Sequence, residues 1–126
     1  MKYFICNFGK INLGIPAPNT LQIVSVSRIQ TEIYLKEGDQ TFISLPALFR
    51  QKNIDTPHGI VLKSEGKVKT MLLSPKVEID LEIPEEGINE LPEILSDVFM
   101  FLRGVYFNGD NGILVLDTEK LTGKFL

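Results

Sequence analysis

One cysteine, one histidine and no tryptophan leave this 126-residue chain short of the side chains that most often carry chemistry. With Cys6 alone, no internal disulfide can form and no cysteine cluster can hold zinc. Cys6 instead alternates with Phe4 and Phe8 on what reads as the apolar face of a strand, the place of a small buried hydrophobe. Long apolar runs are missing too. The longest, Val98 to Leu102, is far too short to span a bilayer, so direct membrane insertion is not expected. The opening "MKYFICNFGK" has no small-residue cleavage site, which predicts a cytoplasmic protein. Basic clusters are absent as well: 13 lysines and arginines lie scattered among 16 acidic residues, for a net charge of −3. Phosphate neutralisation needs clustered cations, so nucleic acid is not an expected partner.

What the sequence does have is globular composition, 44% apolar and 23% charged, in a length suited to a single domain spanning residues 1–126. The dominant signal is a period of two. In "KVEIDLEI" (76–83), Val77, Ile79, Leu81 and Ile83 share one face while Lys76, Glu78, Asp80 and Glu82 share the other, wet one. Similar runs predict strands over Tyr3–Phe8, Ile11–Ile15, Ile23–Ile29, Glu32–Leu35 and Thr41–Leu45. Further strands are predicted over Gly59–Lys63, Lys67–Leu73, Val98–Phe107 and Gly112–Leu116, making ten in all.

Turn chemistry separates them at "FGK" (8–10), "KEGDQ" (36–40), "SEGK" (64–67), "SPK" (74–76), "PEEG" (84–87) and "NGDNG" (108–112). Such tight connections predict antiparallel hairpins. Helix is expected only in "LPALFRQ" (45–51), with Pro46 at the first position, and in "DTEKL" (117–121), with Asp117 as N-cap. A mainly β fold of barrels or a sandwich follows. The polar stretch "RQKNIDTPHG" (50–59) is placed to separate two lobes.

Each candidate for chemistry fails on its surroundings. Asn108, Asp110 and Glu119 fall at the first, third and twelfth positions of a calcium loop, but Gly112 offers no ligand at the fifth position. Ile113 also stands where the sharp turn needs glycine. A hydrolase triad on His58 would need a serine on a strained turn, whereas Ser27, Ser44, Ser64, Ser74 and Ser96 sit in ordinary strand or turn contexts. The acidic stripe Glu78, Asp80, Glu82, Glu85, Glu86 points into water, where nothing raises a carboxyl pKa for general-acid work. No glycine-rich phosphate loop precedes a helix. The expected catalytic, cofactor and metal sets are therefore empty, and a binding or scaffolding module is the reading that remains, with a small-molecule-binding β-barrel as its rival.

The order of segments resembles that of the CheW-like domain family of bacterial chemotaxis. "YFICNFGKINLGIPAPNTLQIV" (3–24) is similar to the family's opening strand, glycine turn, short strand and helical turn, with Gly9, Gly14, Ile15 and Leu21 in sequence. "TFISLPALFRQ" (41–51) resembles its strand running into a short amphipathic helix, and "GIVLKSEGKVKTMLLSPKVEIDLEIPEEGINELPEIL" (59–95) its hairpin, following strand and "lP" segment. The strongest element is "LRGVYFNGDNGILVLDTEKL" (102–121), similar to the family's closing "GV" strand, turn, apolar strand and "D-x-E-K-L" ending. Departures accompany the likeness. "YLKEG" (34–38) puts Lys36 where the family has the arginine of an Asn-Leu-Arg-Gly motif, and lysine lacks arginine's planar fork. Ile43, Ser44, Leu45 and Pro46 replace the usual Val-Asp-Leu-Arg, and the segment from Ile23 to Tyr34 is shorter than usual.

The resemblance implies two intertwined five-stranded SH3-like β-barrels with few short helices, in a non-enzymatic signalling adaptor without cofactors. Its implied partners are the regulatory domain of the chemotaxis histidine kinase and the cytoplasmic tips of chemoreceptors. Candidate partner-binding positions, by analogy with the family, are Thr20, Gln22, Lys36, His58 and Thr70. The departures leave open a divergent structural or interaction role in another signalling system.

Overall fold

The computed structural model describes residues 1–26, 28–64, 66, 68–93 and 99–125. The chain forms two compact units: Met1–Ala17 with Glu78–Leu126 make the first, and Pro18–Val77, inserted between those halves, make the second. Each is built on one five-stranded sheet. No helix among the described residues is long and apolar enough to cross a membrane.

In the first unit, β1 (Lys2–Phe8) and β2 (Ile11–Pro16) form a hairpin, and β9 (Leu102–Asn108) and β10 (Asn111–Leu116) form another. With β8 (Lys76–Glu82) the order is β8-β1-β2-β10-β9. One face of this sheet carries Tyr3, Ile5, Ile113 and Val115, which cluster with Ile83 and with the partly buried Leu81, Ile88 and Tyr106. Full burial of such side chains stabilises by about 1.5–3 kcal/mol each, and Phe8, Leu13, Ile15, Leu116 and Leu121 are buried in the same unit. Cys6 is fully buried, as its alternation predicts. The closing helix α2 (Thr118–Phe125) runs further than the five-residue segment expected, and Asp117 caps it, its Oδ1 accepting from the Lys120 N–H at 3.1 Å.

The second unit orders its strands β3-β6-β7-β5-β4: β3 (Thr20–Ser25), β6 (His58–Leu62), β7 (Lys69–Ser74), β5 (Gln40–Ser44) and β4 (Tyr34–Glu37). Cross-strand register sets Ile60, Leu72 and Ile43 in one row, all fully buried. Helix α1 (Leu45–Leu48) follows β5 directly. Its N-cap is Ser44, whose Oγ accepts from Ala47 N at 3.3 Å, so the helix starts at Leu45 and Pro46 sits one position later than expected. In the hairpins β1–β2, β4–β5 and β9–β10, the first turn residue is a glycine at positive φ: Gly9 (60°), Gly38 (59°) and Gly109 (66°). A side chain there would be strained, which is why these turns could be located from glycine alone.

Four expectations are corrected. The barrels are not closed by backbone hydrogen bonds: among the described residues no pairing joins β8 to β9 or β3 to β4, so each sheet keeps two edges. The ninth strand, expected over Val98–Phe107, begins only at Leu102, whose N–H closes a turn on Phe99 O at 2.9 Å; the tight connections do form antiparallel hairpins, and β2 pairs with β10 and β5 with β7 in parallel through long crossovers. The third strand begins and ends earlier than Ile23–Ile29, because the backbone beyond Ser25 turns to other partners. Val26 N donates to Pro57 O at 2.9 Å, and Arg28 O accepts from the Thr56 hydroxyl at 2.8 Å. The fourth starts at Tyr34 rather than Glu32, because the buried Gln30 amide donates to Glu32 O and Phe42 O, each at 3.0 Å, and holds that backbone out of the ladder. Ser27, Glu65, Lys67, Ser96 and Val98, which figure in the expected strands, turns and serine set, lie outside the described residues, as do the side chains of Ile79 and Asp80.

Candidate partner-docking face

All five candidate contact residues fall in the second unit's sheet, but the fold does not gather them into one patch. Thr20 and Gln22 lie on edge strand β3, His58 on β6, Thr70 on β7 and Lys36 on the opposite edge β4. Four inter-strand steps separate the two edges, about 19 Å at ordinary strand spacing. Register divides them further. Thr70, Thr41 and Lys36 form one row, on the face that also carries the buried row of Ile43, Ile60 and Leu72, and His58 shares that face opposite Ser25 and Ser74. Gln22 is on the other face, opposite Val61, with a register shift separating it from Thr20. Gln22 and Lys36 are exposed, Thr20 and His58 are half-buried, and Thr70 is only 3% exposed.

Gln22's face holds a feature that the sequence reading did not single out. Val61, Met71, Phe42 and Leu35 form an apolar row across four strands. Beside it, Val24, Val61 and Met71 line a depression of about 130 Å³ rimmed by Leu21, Gln22, Gln40 and Lys69. Leu21 is 60% exposed although apolar. An apolar centre inside a polar rim is the physical mark of an association surface. The signal was present in "KTMLLS" (69–74), where apolar residues occupy both faces of one strand; a strand backed by solvent on one side would not need Met71.

The far end of the same row is covered. The Arg28 guanidinium lies 3.9 Å over the Phe42 ring, and it donates to both carboxylate oxygens of Glu37, at 2.7 and 3.4 Å. That hydrogen bond, with Arg28's charge added, holds the Glu37 carboxyl below the usual glutamate range. Arg28 thus shields Phe42, while Met71 is half-buried and Val61, like Phe42, is only 6% exposed, so the exposed apolar side chain at this depression is Leu21.

The candidates for chemistry read as structure. Asn108 and Asn111 pair across the β9–β10 turn, and Asp110 lies in that turn. Ser74 Oγ donates to Lys76 O at 3.0 Å, closing the β7–β8 connection. Among the described residues, no three His, Cys, Asp or Glu side chains are grouped to hold a metal ion.

No protein-family model matches this chain, and no curated protein matches it in sequence. Its structure does find a likeness. The scaffolding protein TtCheW from Thermoanaerobacter tengcongensis matches with a TM-score of 0.70 over 91% of this chain and 87% of that one, at 15% sequence identity. The chain has the CheW-like fold. The expectation drawn from segment order is therefore met at the level of architecture, with mainly β units and few short helices. At this identity the likeness is one of fold alone.

Proposed function

We propose that this CheW-like protein is a non-enzymatic cytoplasmic adaptor, working as a single domain, that couples chemoreceptor tips to the chemotaxis histidine kinase by docking on the kinase's regulatory domain. The observation that carries the reading is the fold likeness to a scaffolding protein over nearly the whole chain. The apolar, polar-rimmed depression beside Gln22 supports it, because a scaffold acts through surfaces rather than through a reacting group. In this reading Gln22 and Thr20 contact the partner at one edge of the sheet, Lys36 at the other, and His58 and Thr70 hold the strands between.

Pull-down and titration with the regulatory domain of a chemotaxis kinase test it. Retention with a dissociation constant at or below about 10 µM is expected, and Leu21→Asp should abolish it. No binding at tens of micromolar, roughly the weak end of specific association, would overturn the kinase assignment. A second reading, an interaction protein of another signalling system, draws on Lys36: a lysine presents a point charge where a forked guanidinium is expected. Retained kinase binding with no receptor-tip binding, and no gain of it in Lys36→Arg, would favour that second reading.

A further inference from the structure

Each of the two sheets ends in two edge strands, and among these β3 alone carries neither charge nor added backbone. β4 carries Lys36 and Glu37, and β8 carries Lys76, Glu78 and Glu82. β9 has Arg103, and its Val105 exchanges backbone hydrogen bonds with Asn89. Charged side chains and covering backbone are the usual means by which an edge avoids pairing with another chain. β3, Thr20–Ser25, has no charged residue, and each of its side chains is exposed or half-buried.

Register shows which backbone groups this edge offers. The Val26 N–H donates to Pro57 O at 2.9 Å, and Val24 and Gln22 follow at alternate positions of the same antiparallel ladder, opposite Gly59 and Val61. Bonded and non-bonded pairs alternate in such a ladder, so Val24 and Gln22 direct their N–H and C=O groups at β6. Ile23 and Ser25, opposite Ile60 and His58, direct theirs the other way. Among the described residues nothing bonds those outward groups. An N–H and a C=O at Ile23, repeated at Ser25, form a row that an extended strand satisfies.

A second copy of the chain matches that row by symmetry. When two β3 strands run antiparallel about an axis at Val24, Ile23 of each faces Ser25 of the other, and every such pair exchanges both of its N–H···O bonds. Val24 then meets its own counterpart as a non-bonded pair. Val24 also lines the depression with Val61 and Met71, so the pairing sets the apolar ground of one copy beside that of the other. No like charges oppose each other across the new ladder, because β3 has none. We propose that the β3 edge is a homodimerisation surface, on which two copies join their second-unit sheets into one continuous sheet. An isologous contact closes on itself, and the edge left at the far side of that sheet, β4, carries Lys36 and Glu37, so assembly stops at the dimer.

Sedimentation velocity of the purified chain over concentrations up to about 1 mM tests the dimer, and a dissociation constant of about 100 µM is expected for so small an interface. Cross-linking reads the register. Non-bonded partners stand about 4.5 Å apart at Cα, within disulfide reach, so Val24→Cys should oxidise to a covalent dimer at least roughly tenfold faster than Lys36→Cys on the unpaired edge. Cys6 is fully buried and does not compete. Ser25→Pro removes an outward donor and no bond to β6, at a kind of position where edge strands accept proline, and should weaken dimerisation about tenfold while the dilute monomer keeps its circular dichroism. Amide exchange at Ile23 and Ser25, fast in the dilute monomer, should slow as concentration rises, whereas that of β4 and β8 should not. A monomer at all concentrations up to about 1 mM, equal cross-linking of the two cysteine variants, or dimerisation unchanged in Ser25→Pro would each overturn the proposal. No kinase enters these measurements, so the dimer and the adaptor reading fail separately.

Discussion

Gly104 and Gly59 show how far one residue's meaning depends on what stands opposite it. A Cβ on Gly104 would run into the backbone oxygen of Asn89 and the Ile88 side chain, at the point where Asn89 and Val105 exchange hydrogen bonds at 2.8 and 2.9 Å. Backbone cannot step aside, so Gly104→Ala should cost about 3 kcal/mol, the upper end of overpacking penalties. A Cβ on Gly59 would meet the Met71 side chain. That chain is flexible and half-buried, so Gly59→Ala should cost no more than about 1 kcal/mol. Urea unfolding of the two variants checks the ordering, and equal midpoints would refute it. In the sequence both were plain glycines, although Gly104 was already marked by the "GV" likeness; the obstructing Asn89 carbonyl is a tertiary fact.

Glu37 supplies a pH dependence at the same scale. Its carboxyl is held below the ordinary value by the hydrogen bond from Arg28. The pairing therefore contributes fully above the unfolded value, about pH 4.3, and is lost as pH falls through the lower folded value. Carboxyl NMR should show Glu37 titrating below a peptide glutamate, and Arg28→Met should raise it back toward the ordinary glutamate range. A midpoint unmoved by that substitution would mean that Arg28 is not the cause.

At the scale of elements, legibility followed the range of the interaction that sets each boundary. The cap on α2 is local: Asp117 bonds a backbone N–H three residues on, and the spacing alone placed it. Asp117→Ala should cost about 1 kcal/mol and Asp117→Asn much less, measured by thermal unfolding. Equal losses would show that charge at the helix start matters more than capping. The start of β4 is not local. Gln30 reaches twelve residues ahead to Phe42 O and keeps residues 30–33 out of the ladder, although Ser44 N still reaches Ile33 O at 2.8 Å. A glutamine between polar residues gives no sign of this, so the strand was expected two residues early. The five contact candidates suffered similarly: only Thr70 fell inside an expected strand, Thr20, Gln22, Lys36 and His58 lay just outside one although all five sit on strands, and which sheet face each occupies waited on register.

For the molecule as a whole, strand order makes a testable statement about each unit. β2 and β7 are paired on both sides, whereas β8, β3 and β4 are edges. Amide exchange should be slowest in β2 and β7 and orders of magnitude faster at the outward N–H groups of β3, β4 and β8. Uniformly slow exchange along those edges would show that the barrels close in solution.

The sequence by itself determined the number and character of the strands, the glycine turns, the burial of Cys6 and the order of segments that carries the CheW-like likeness. These rest on alternation and on backbone preferences, which act over a few residues. Only the tertiary structure decided that Leu13 lies beside Leu114 and Thr41 beside Thr70, that no pairing among the described residues closes either sheet, and that Asn7, Asn12, Asn108 and Asn111 line one depression. Those outcomes depend on which strands meet across long crossovers, and a period of two is the same whichever neighbour a strand finds.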